Sequence, residues 1–344
     1  MTLPALDFAP LAGDAAGAVA RVPARPGVGE IVGPEGRSLV LAPASNLRQW
    51  AASRLGLGKP VPAGRRPRTS LAGVATAIGW VEADGPFRQR LIYERLLAPR
   101  VPLAARRDLR PPAFLHLDPA QRFPRVTVRG VDEGARRLFG PFRDRRAAEK
   151  ARDAVLRLFP LRPCDYGFEP DPAWLTGLGC LYAQVRSCAA PCLRRVEEEE
   201  YRALAARAAA WLAHPSARGE PPPAVPAIVG SVEGTRGLIV DAGRCFVGLY
   251  PVSGGRVLEE AATTVAPAEV EAAVARLRWP TRDGPDDWAW LASWLRSPRG
   301  RASYVVAGEP PEREALAAAV RAALPPRFAA PAAGANVGTS QGEP

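Results

Sequence analysis

The chain has 344 residues, enough for two or three units with separate cores. It carries 46 basic against 35 acidic side chains, a net charge of +11, and all but two of the basic residues (Lys59 and Lys150) are arginines. Guanidinium forks grip phosphate oxygens, so the positive balance points to a polyanion partner; a GC-rich codon bias accounts for arginine over lysine but not for the sign. No stretch approaches the ~20 apolar residues of a membrane helix, and residues 1–20 lack the basic and apolar regions of a signal peptide, which implies no membrane and a cytoplasmic location.

In chain order, residues 1–22 are Ala/Pro/Gly-rich and read as a loose leader. Between Gly27 and Leu41 the pattern is strand, turn, strand, with Pro34 and Gly36 at the turn of a hairpin. Ser45 or Asn46 then caps a helix opening at Leu47. A Gly/Pro/Arg-rich loop follows at 56–68, and a helix at 87–97 with Leu91, Ile92, Leu96 and Leu97 on its apolar stripe. Residues 112–128 read as strands around a Pro-rich turn. An amphipathic helix follows at 145–159, then a cysteine-bearing stretch, then a helix at 197–212 opened by four glutamates that suit a helix N-terminus. Pro221, Pro222 and Pro223 mark a semi-rigid linker. Beyond it come strands within 228–265, helices near 267–277 and 312–323, and a Trp-bearing stretch at 279–294. The expected organisation is an α/β (α+β) protein: leader 1–22, a first domain 23–110, a connecting and cysteine module 111–213, linker 214–226, a C-terminal α+β domain 227–330 without an assigned role, and a disordered tail 331–344.

Four of the five cysteines fall in one short window, Cys164, Cys180, Cys188 and Cys192. A reducing cytosol disfavours structural disulfides, and four gathered thiolates are a usual ligand set for zinc or an iron–sulfur cluster. The chain's two histidines, His116 and His214, lie outside the window. The fifth, Cys245, sits in a strand-like run and reads as a buried thiol.

Several motifs together carry a family resemblance. They are Pro26-Gly27-Val28 near the start, Asn46-Leu47-Arg48 behind the second strand, and Phe139-Gly140-Pro141-Phe142. With them go Leu158-Phe159-Pro160-Leu161-Arg162-Pro163-Cys164, the Cys180/Cys188/Cys192 spacing with Ala190-Pro191 before the last cysteine, and Glu198-Glu199-Glu200-Tyr201. In order and interval this resembles the UvrC subunit of the bacterial excinuclease from about residue 23 to 205. The resemblance implies a small GIY-YIG nuclease-like mixed sheet with helices, followed by a helical cysteine module. It also implies a four-iron four-sulfur cluster on Cys164, Cys180, Cys188 and Cys192; zinc remains the competing ligand, and an empty vestigial site a third reading.

Hydrolysis of a phosphodiester needs an activated hydroxyl or water, a cation on the scissile phosphate and a carboxylate for Mg²⁺. Carried over one position at a time, the family's first tyrosine falls at Gly29, its second at Val40 with the following glycine at Ala42, its arginine at Trp50, its asparagine at Pro102 and its metal-binding glutamate at Glu94. Only the glutamate is retained, so the nuclease centre is expected to be degenerate, with Mg²⁺ required only if it cuts. Glu94 also reads as an ordinary helix residue paired with Arg90, or as a working ligand. Arg48, Arg106, Arg107, Arg110, Arg143 and Arg145, in an arginine-dense stretch with interleaved phenylalanines, are candidate DNA contacts; a solvated charged face is the alternative.

The resemblance stops near residue 205. The helical hairpin that docks on the damage-loading subunit is expected to be missing, too few residues remain for the family's second nuclease domain, and Asp241, Glu259 and Glu260 read as surface or turn residues. The expected function is a DNA-repair-related protein that binds DNA, and possibly a repair protein, without cutting. An active Mg²⁺-dependent, structure-selective endonuclease and an iron–sulfur scaffold with no nucleic-acid role are the alternatives.

Overall fold

The computed structural model describes residues 4–58, 69–102, 105–106, 112–130, 137–173, 180–213, 225, 230–231, 236–244, 246–258, 269–279, 287–307 and 313–328. Helices and antiparallel sheets are mixed throughout, an α+β fold in which three four-stranded sheets each carry their own helices.

The first sheet has the order β1 (Asp7–Pro10), β4 (Ala77–Glu82), β2 (Gly27–Val32), β3 (Ser38–Ala44). The β2–β3 connection turns over Pro34–Gly36, where Glu35 and Gly36 take positive φ of 58° and 74°. Asn46 caps α2 (Leu47–Arg54) by accepting from the Gln49 amide at 3.0 Å. Side chains alternate across β2. Ile31 faces the core of Leu47, Ala51, Leu55 and Ile78 under α2, while Val28 faces Ile92 and Leu96 of α3 (Pro86–Leu97).

The stretch expected as a leader is part of this unit. Asp7–Pro10 adds an antiparallel strand to β4, and α1 (Ala15–Arg21) starts at Asp14, whose carboxylate accepts from the Gly17 amide at 2.7 Å. Ala18, Val19 and Val22 are buried against α2 and the sheet. Their i, i+1, i+4 spacing is a short helical stripe within an Ala/Gly-rich composition that otherwise resembles a linker.

The second sheet runs β6 (Thr127–Arg129), β5 (Ala113–His116), β7 (Leu138–Phe142), β8 (Gly230–Ser231). It is covered by α4 (Arg145–Leu158) and α6 (Glu198–Ala213) through Ala148, Ala151 and Val155 and through Tyr201, Ala205 and Leu212. Among the described residues between these helices, the regular structure is one short helix, α5 (Leu181–Gln184), and a 3-10 turn at Pro191–Leu193.

The third sheet has the order β11 (Arg256–Val257), β10 (Val247–Ser253), β9 (Arg236–Ala242), β12 (Tyr304–Ala307). One face packs on α7 (Val270–Ala275) and α10 (Arg313–Ala323). The other carries Ile239, Tyr250 and Val252 and takes α8 (Trp288–Arg296) together with Phe87 and Leu91 of α3. A further helix, α9 (Pro298–Ser303), links α8 to β12. α3 is therefore sandwiched between the first and third sheets. Trp288, Trp290 and Trp294 act as anchors between units: Trp288 packs edge-on to Phe114 of the second unit at 5.6 Å between centroids, and Trp290 and Trp294 lie 5.7 and 5.3 Å from Phe87.

Candidate functional site

Of the residues at the expected nuclease positions, Gly29, Val40 and Ala42 fall on strands β2 and β3, and Trp50 and Glu94 on two helices, α2 and α3, that flank opposite faces of the first sheet. Gly29, on β2, lies under α2. A Cβ built on Gly29 would lie 2.9 Å from Cη2 of the Trp50 ring and closer still to Cζ3 and Cε3, so the space a side chain would use at 29 is filled by the indole. Val40 packs partly buried against the same core. A flat apolar contact occupies this place, with no hydroxyl or cation from residues 29, 40 or 50.

Glu94 sits on α3, on the opposite face, only 2% exposed. Its carboxylate lies 2.5 Å from Arg90 Nη2 and 2.5 Å from Arg106 Nη1. The i−4 pairing with Arg90 agrees with the sequence expectation. The second partner does not: Arg106, expected as a DNA contact, is buried, with its side chain 5% exposed, and it neutralises Glu94. Nearby, buried Glu30 on β2 accepts from Arg100 Nη2 at 3.2 Å.

Of the other arginines expected on DNA, Arg48 is exposed, and its Nε donates to the Val22 carbonyl at 2.8 Å, tying α2 to the end of α1. Arg143 and Arg145 are exposed at the start of α4 and pair with Asp144 and Glu149, each at 2.9 Å. Arg107 and Arg110 lie outside the described residues, as do Cys245, Glu259 and Glu260.

Two carboxylates of the third unit have roles that no local pattern announced. Asp241, expected as a surface or turn residue, is 2% exposed. Its two oxygens accept from the amides of Phe87 at 3.0 Å and Arg88 at 2.8 Å, which caps the N-terminus of α3; Gly85, at the N-cap position, has no side chain to do so. Burial pushes its carboxyl up to about 6 despite those two donors. Asp287 is 1% exposed and grips Arg95 of α3 with both oxygens, the longer contact 2.9 Å, while accepting from the Val257 amide and the Trp290 indole at 3.0 Å each.

The cysteine module is held by Arg162, in the run that leads to Cys164. Its amide donates to the Tyr201 hydroxyl at 2.7 Å, its Nε to the Phe123 carbonyl at 2.9 Å and its Nη1 to the Tyr166 carbonyl at 2.8 Å. The Asp171 amide reaches the Cys192 carbonyl at 3.0 Å, and the Ala189 amide the Pro160 carbonyl at 2.8 Å. These ties bring the four half-buried thiols into one neighbourhood. Burial first, and then the charges of Cys164, Cys192 and Cys180, push Cys188 up to about 11, although the Ala190 amide donates to its Sγ at 3.3 Å. Cys192 is raised for the same reasons. Ala190 and Arg194, flanking the last cysteine, take left-handed backbone at φ 54° and 51° without being glycine. The donor set suits a thiophilic metal. As placed, however, no group of three or more His, Cys, Asp or Glu side chains among the described residues is arranged to hold one.

Comparison with known proteins locates the similarity. Residues 113–211, from β5 into α6 and including all four cysteines, match the family described as UvrC/Cho excinuclease, middle domain. UvrABC system protein C of Arthrobacter sp. (strain FB24) is 34% identical over 189 residues, 54% of this chain and 27% of that protein. The same-named protein of Paenarthrobacter aurescens (strain TC1) is 33% identical over the same shares of the two chains. That of Thermobifida fusca (strain YX) is 32% identical over 202 residues, covering 57% of this chain and 30% of its own. The chain thus spans less than a third of the length of these curated relatives. No solved structure matches.

Proposed function

We propose that this chain is a nucleotide-excision-repair-related protein that binds DNA through a UvrC-like scaffold and does not cut it. The similarity of residues 113–211 to the excinuclease middle domain supports the repair context. The observation that carries the second half is the Trp50 indole seated on Gly29. If the first unit is a GIY-YIG-like sheet, the places of its tyrosine and arginine are taken by a glycine and an indole in contact, and neither can activate water or neutralise a phosphate. Removing one preorganised group of this kind costs ~3–4 kcal/mol of transition-state stabilisation. Glu94 has the right chemistry for Mg²⁺, but two guanidiniums already neutralise it, and a dication there would face their charge.

On this reading Cys164, Cys180, Cys188 and Cys192 hold a four-iron four-sulfur cluster, with zinc the alternative for the same donors. When bound, such a group supplies folding free energy to a module with little regular structure among its described residues. Its support is the all-sulfur donor set and the mutual coupling of the thiols, which as neutral or repelling groups gain nothing from being gathered. A repair protein is a further partner on the same reading. The place expected to lack a docking hairpin for the damage-loading subunit, after α6, lies outside the described residues.

The test is a labelled duplex carrying a bulky lesion, incubated with the full chain and Mg²⁺ at low and moderate salt. Salt-dependent retention of uncut DNA is the expected result. Incision that disappears in Glu94→Ala would establish a working nuclease and overturn the proposal; no retention at any salt would leave only a scaffold without a nucleic-acid role.

A further inference from the structure

β7 runs directly into Arg143 and Asp144 and then into α4. α8 of the third unit lies against the same strand and its neighbour β5, with Trp288 and Ala292 packed on Leu138 of β7 and Phe114 of β5. The last residue of α8, Arg296, therefore falls beside the start of α4, where its charge interacts with those of Arg143 and Asp144. Arg301 Nη1 reaches back to the Arg296 carbonyl at 2.9 Å, which holds a further cation alongside. Arg145 and Arg146 stand exposed on the first turn of α4.

The acids in this place are already engaged. Asp144 accepts from the Ala147 amide at 2.8 Å as the N-cap and from Arg143 Nε at 2.9 Å, and Glu149 accepts from Arg145 at 2.9 Å. Arg296 is half-buried, and its Nη1 is enclosed with no hydrogen-bond partner among the described residues. Burial, and then Arg143, weaken its hold on its proton. Arg143 and Arg296, one from each of two units, thus lie close enough for their charges to interact, with Arg145, Arg146 and Arg301 next to them along the chain, and the two carboxylates here are already committed. The surface is not that of a protein–protein contact. The large apolar side chains exposed among the described residues are Phe8, Leu57, Val74, Leu158 and four around the cysteine module, none of them in this cluster, and protein interfaces need such anchors at their centre.

We propose that Arg143, Arg145 and Arg146 of the second unit, with Arg296 and Arg301 of the third, form a binding site for the phosphodiester backbone of duplex DNA. This rests on the DNA-binding reading above and gives the third unit a part in it. The site offers forked cations without amides or exposed aromatic rings to read bases, so its binding is independent of sequence.

The experiment measures anisotropy of a fluorescein-labelled duplex of random sequence, titrated with the full chain between about 50 and 200 mM salt. Arg296→Gln and Arg143→Gln should each weaken binding about eight-fold at about 0.1 M salt and reduce the slope of log K against log salt by about 0.9, one phosphate contact apiece. Arg207→Gln, exposed on α6, should leave both unchanged. Thermal melting confirms that each variant is folded; Arg143, with its side chain 70% exposed, carries the test if Arg296→Gln is not. Wild-type binding that persists with the same slope in both variants overturns this site and leaves the DNA-binding reading standing. A wild-type chain that fails to bind at the lowest salt overturns that reading itself.

Discussion

Alanine at position 29 places a methyl group inside the space of the Trp50 ring, and the ring has two ways to respond. It can stay and strain its torsions and neighbours, an overpacking cost of about 1–3 kcal/mol. Or it can swing out: the side chain is half-buried, so about 100 Å² of apolar surface returns to water, roughly 2–3 kcal/mol at 25 cal/mol per Å². Taking glycine out of a strand interior gives back about 0.5–1 kcal/mol. The expected net loss for Gly29→Ala is therefore about 1–2 kcal/mol. With Trp50→Ala already in place the clash is gone, and the same change should be neutral or stabilising by up to about 1 kcal/mol, a coupling of about 2 kcal/mol in a double-mutant cycle. Denaturant midpoints at constant slope give the free energies, and hydrogen exchange of peptides spanning β2 and α2 assigns the loss to the first unit. Additive effects would mean that the indole does not lie on Gly29, and the account of a filled nuclease centre would lose its main support.

Asp287→Ala should cost about 3–5 kcal/mol, because it leaves Arg95, itself 4% exposed, without its counter-charge; Arg95→Met with Asp287→Leu should recover much of that loss, and a melting temperature unchanged by Asp287→Ala would contradict the bidentate contact. Asp241 gives a pH signature. Its folded-state carboxyl is raised from 3.8 to about 6, so the fold binds that proton more tightly than the unfolded chain, and this site's contribution is present below about pH 4 and is lost as pH rises through about 6. The difference in melting temperature between wild type and Asp241→Asn should therefore shift in favour of the wild type on acidification across that window; a difference that is flat with pH would refute the burial. Anaerobically purified chain should absorb at roughly 400 nm if the cysteines hold iron–sulfur, and Cys192→Ser should abolish that band; a colourless wild-type preparation that also lacks zinc would remove the cofactor proposal.

What the sequence made legible was local. A cap at Ser45 or Asn46 announced α2, and it is Asn46 whose side chain bonds the Gln49 amide three residues on; α4 was visible because Ala148, Ala151 and Val155 recur on one face. The Glu94–Arg90 pair was visible at a spacing of four. What stayed hidden depends on distance along the chain. Asp241 caps an amide 154 residues away, and nothing beside it in sequence distinguishes a cap for a remote helix from a turn aspartate. Arg106 sat in a run of arginines that looked like a polyanion surface, and its burial against Glu94 follows from where the chain goes after α3. The contact between Gly29 and Trp50 had half a signal: a glycine inside a strand often marks a close approach, but only the fold says that an indole makes it. β1 and α1 were missed because alanine and glycine dilute the apolar stripe of Ala18, Val19 and Val22 below what composition reveals.

α3 joins the expected nuclease position to the contacts between units. The resemblance places a metal-binding carboxylate on this helix, and the fold has engaged nearly every part of it otherwise. Its N-terminus is capped by Asp241 of another unit, with Phe87 and Leu91 buried against Tyr250 and Trp290 of that unit and Ile92 and Leu96 against the first sheet. Arg95 is fixed by Asp287, and Glu94 by Arg90 and Arg106. Detaching the third unit would expose Phe87 and Leu91 together, at ~1.5–3 kcal/mol for each large side chain, and would hand the Arg95 guanidinium and two helix amides back to water. Against a typical domain stability of about 5–15 kcal/mol, a loss of about 3–6 kcal/mol is a large share of what holds the first sheet and α3 together. A helix bound on all these sides is poorly placed to admit Mg²⁺ and a scissile phosphate at Glu94. It is well placed to hold the first and third units in fixed register, while the packing of Trp288 and Ala292 on Phe114 and Leu138 is what brings Arg296 toward Arg143.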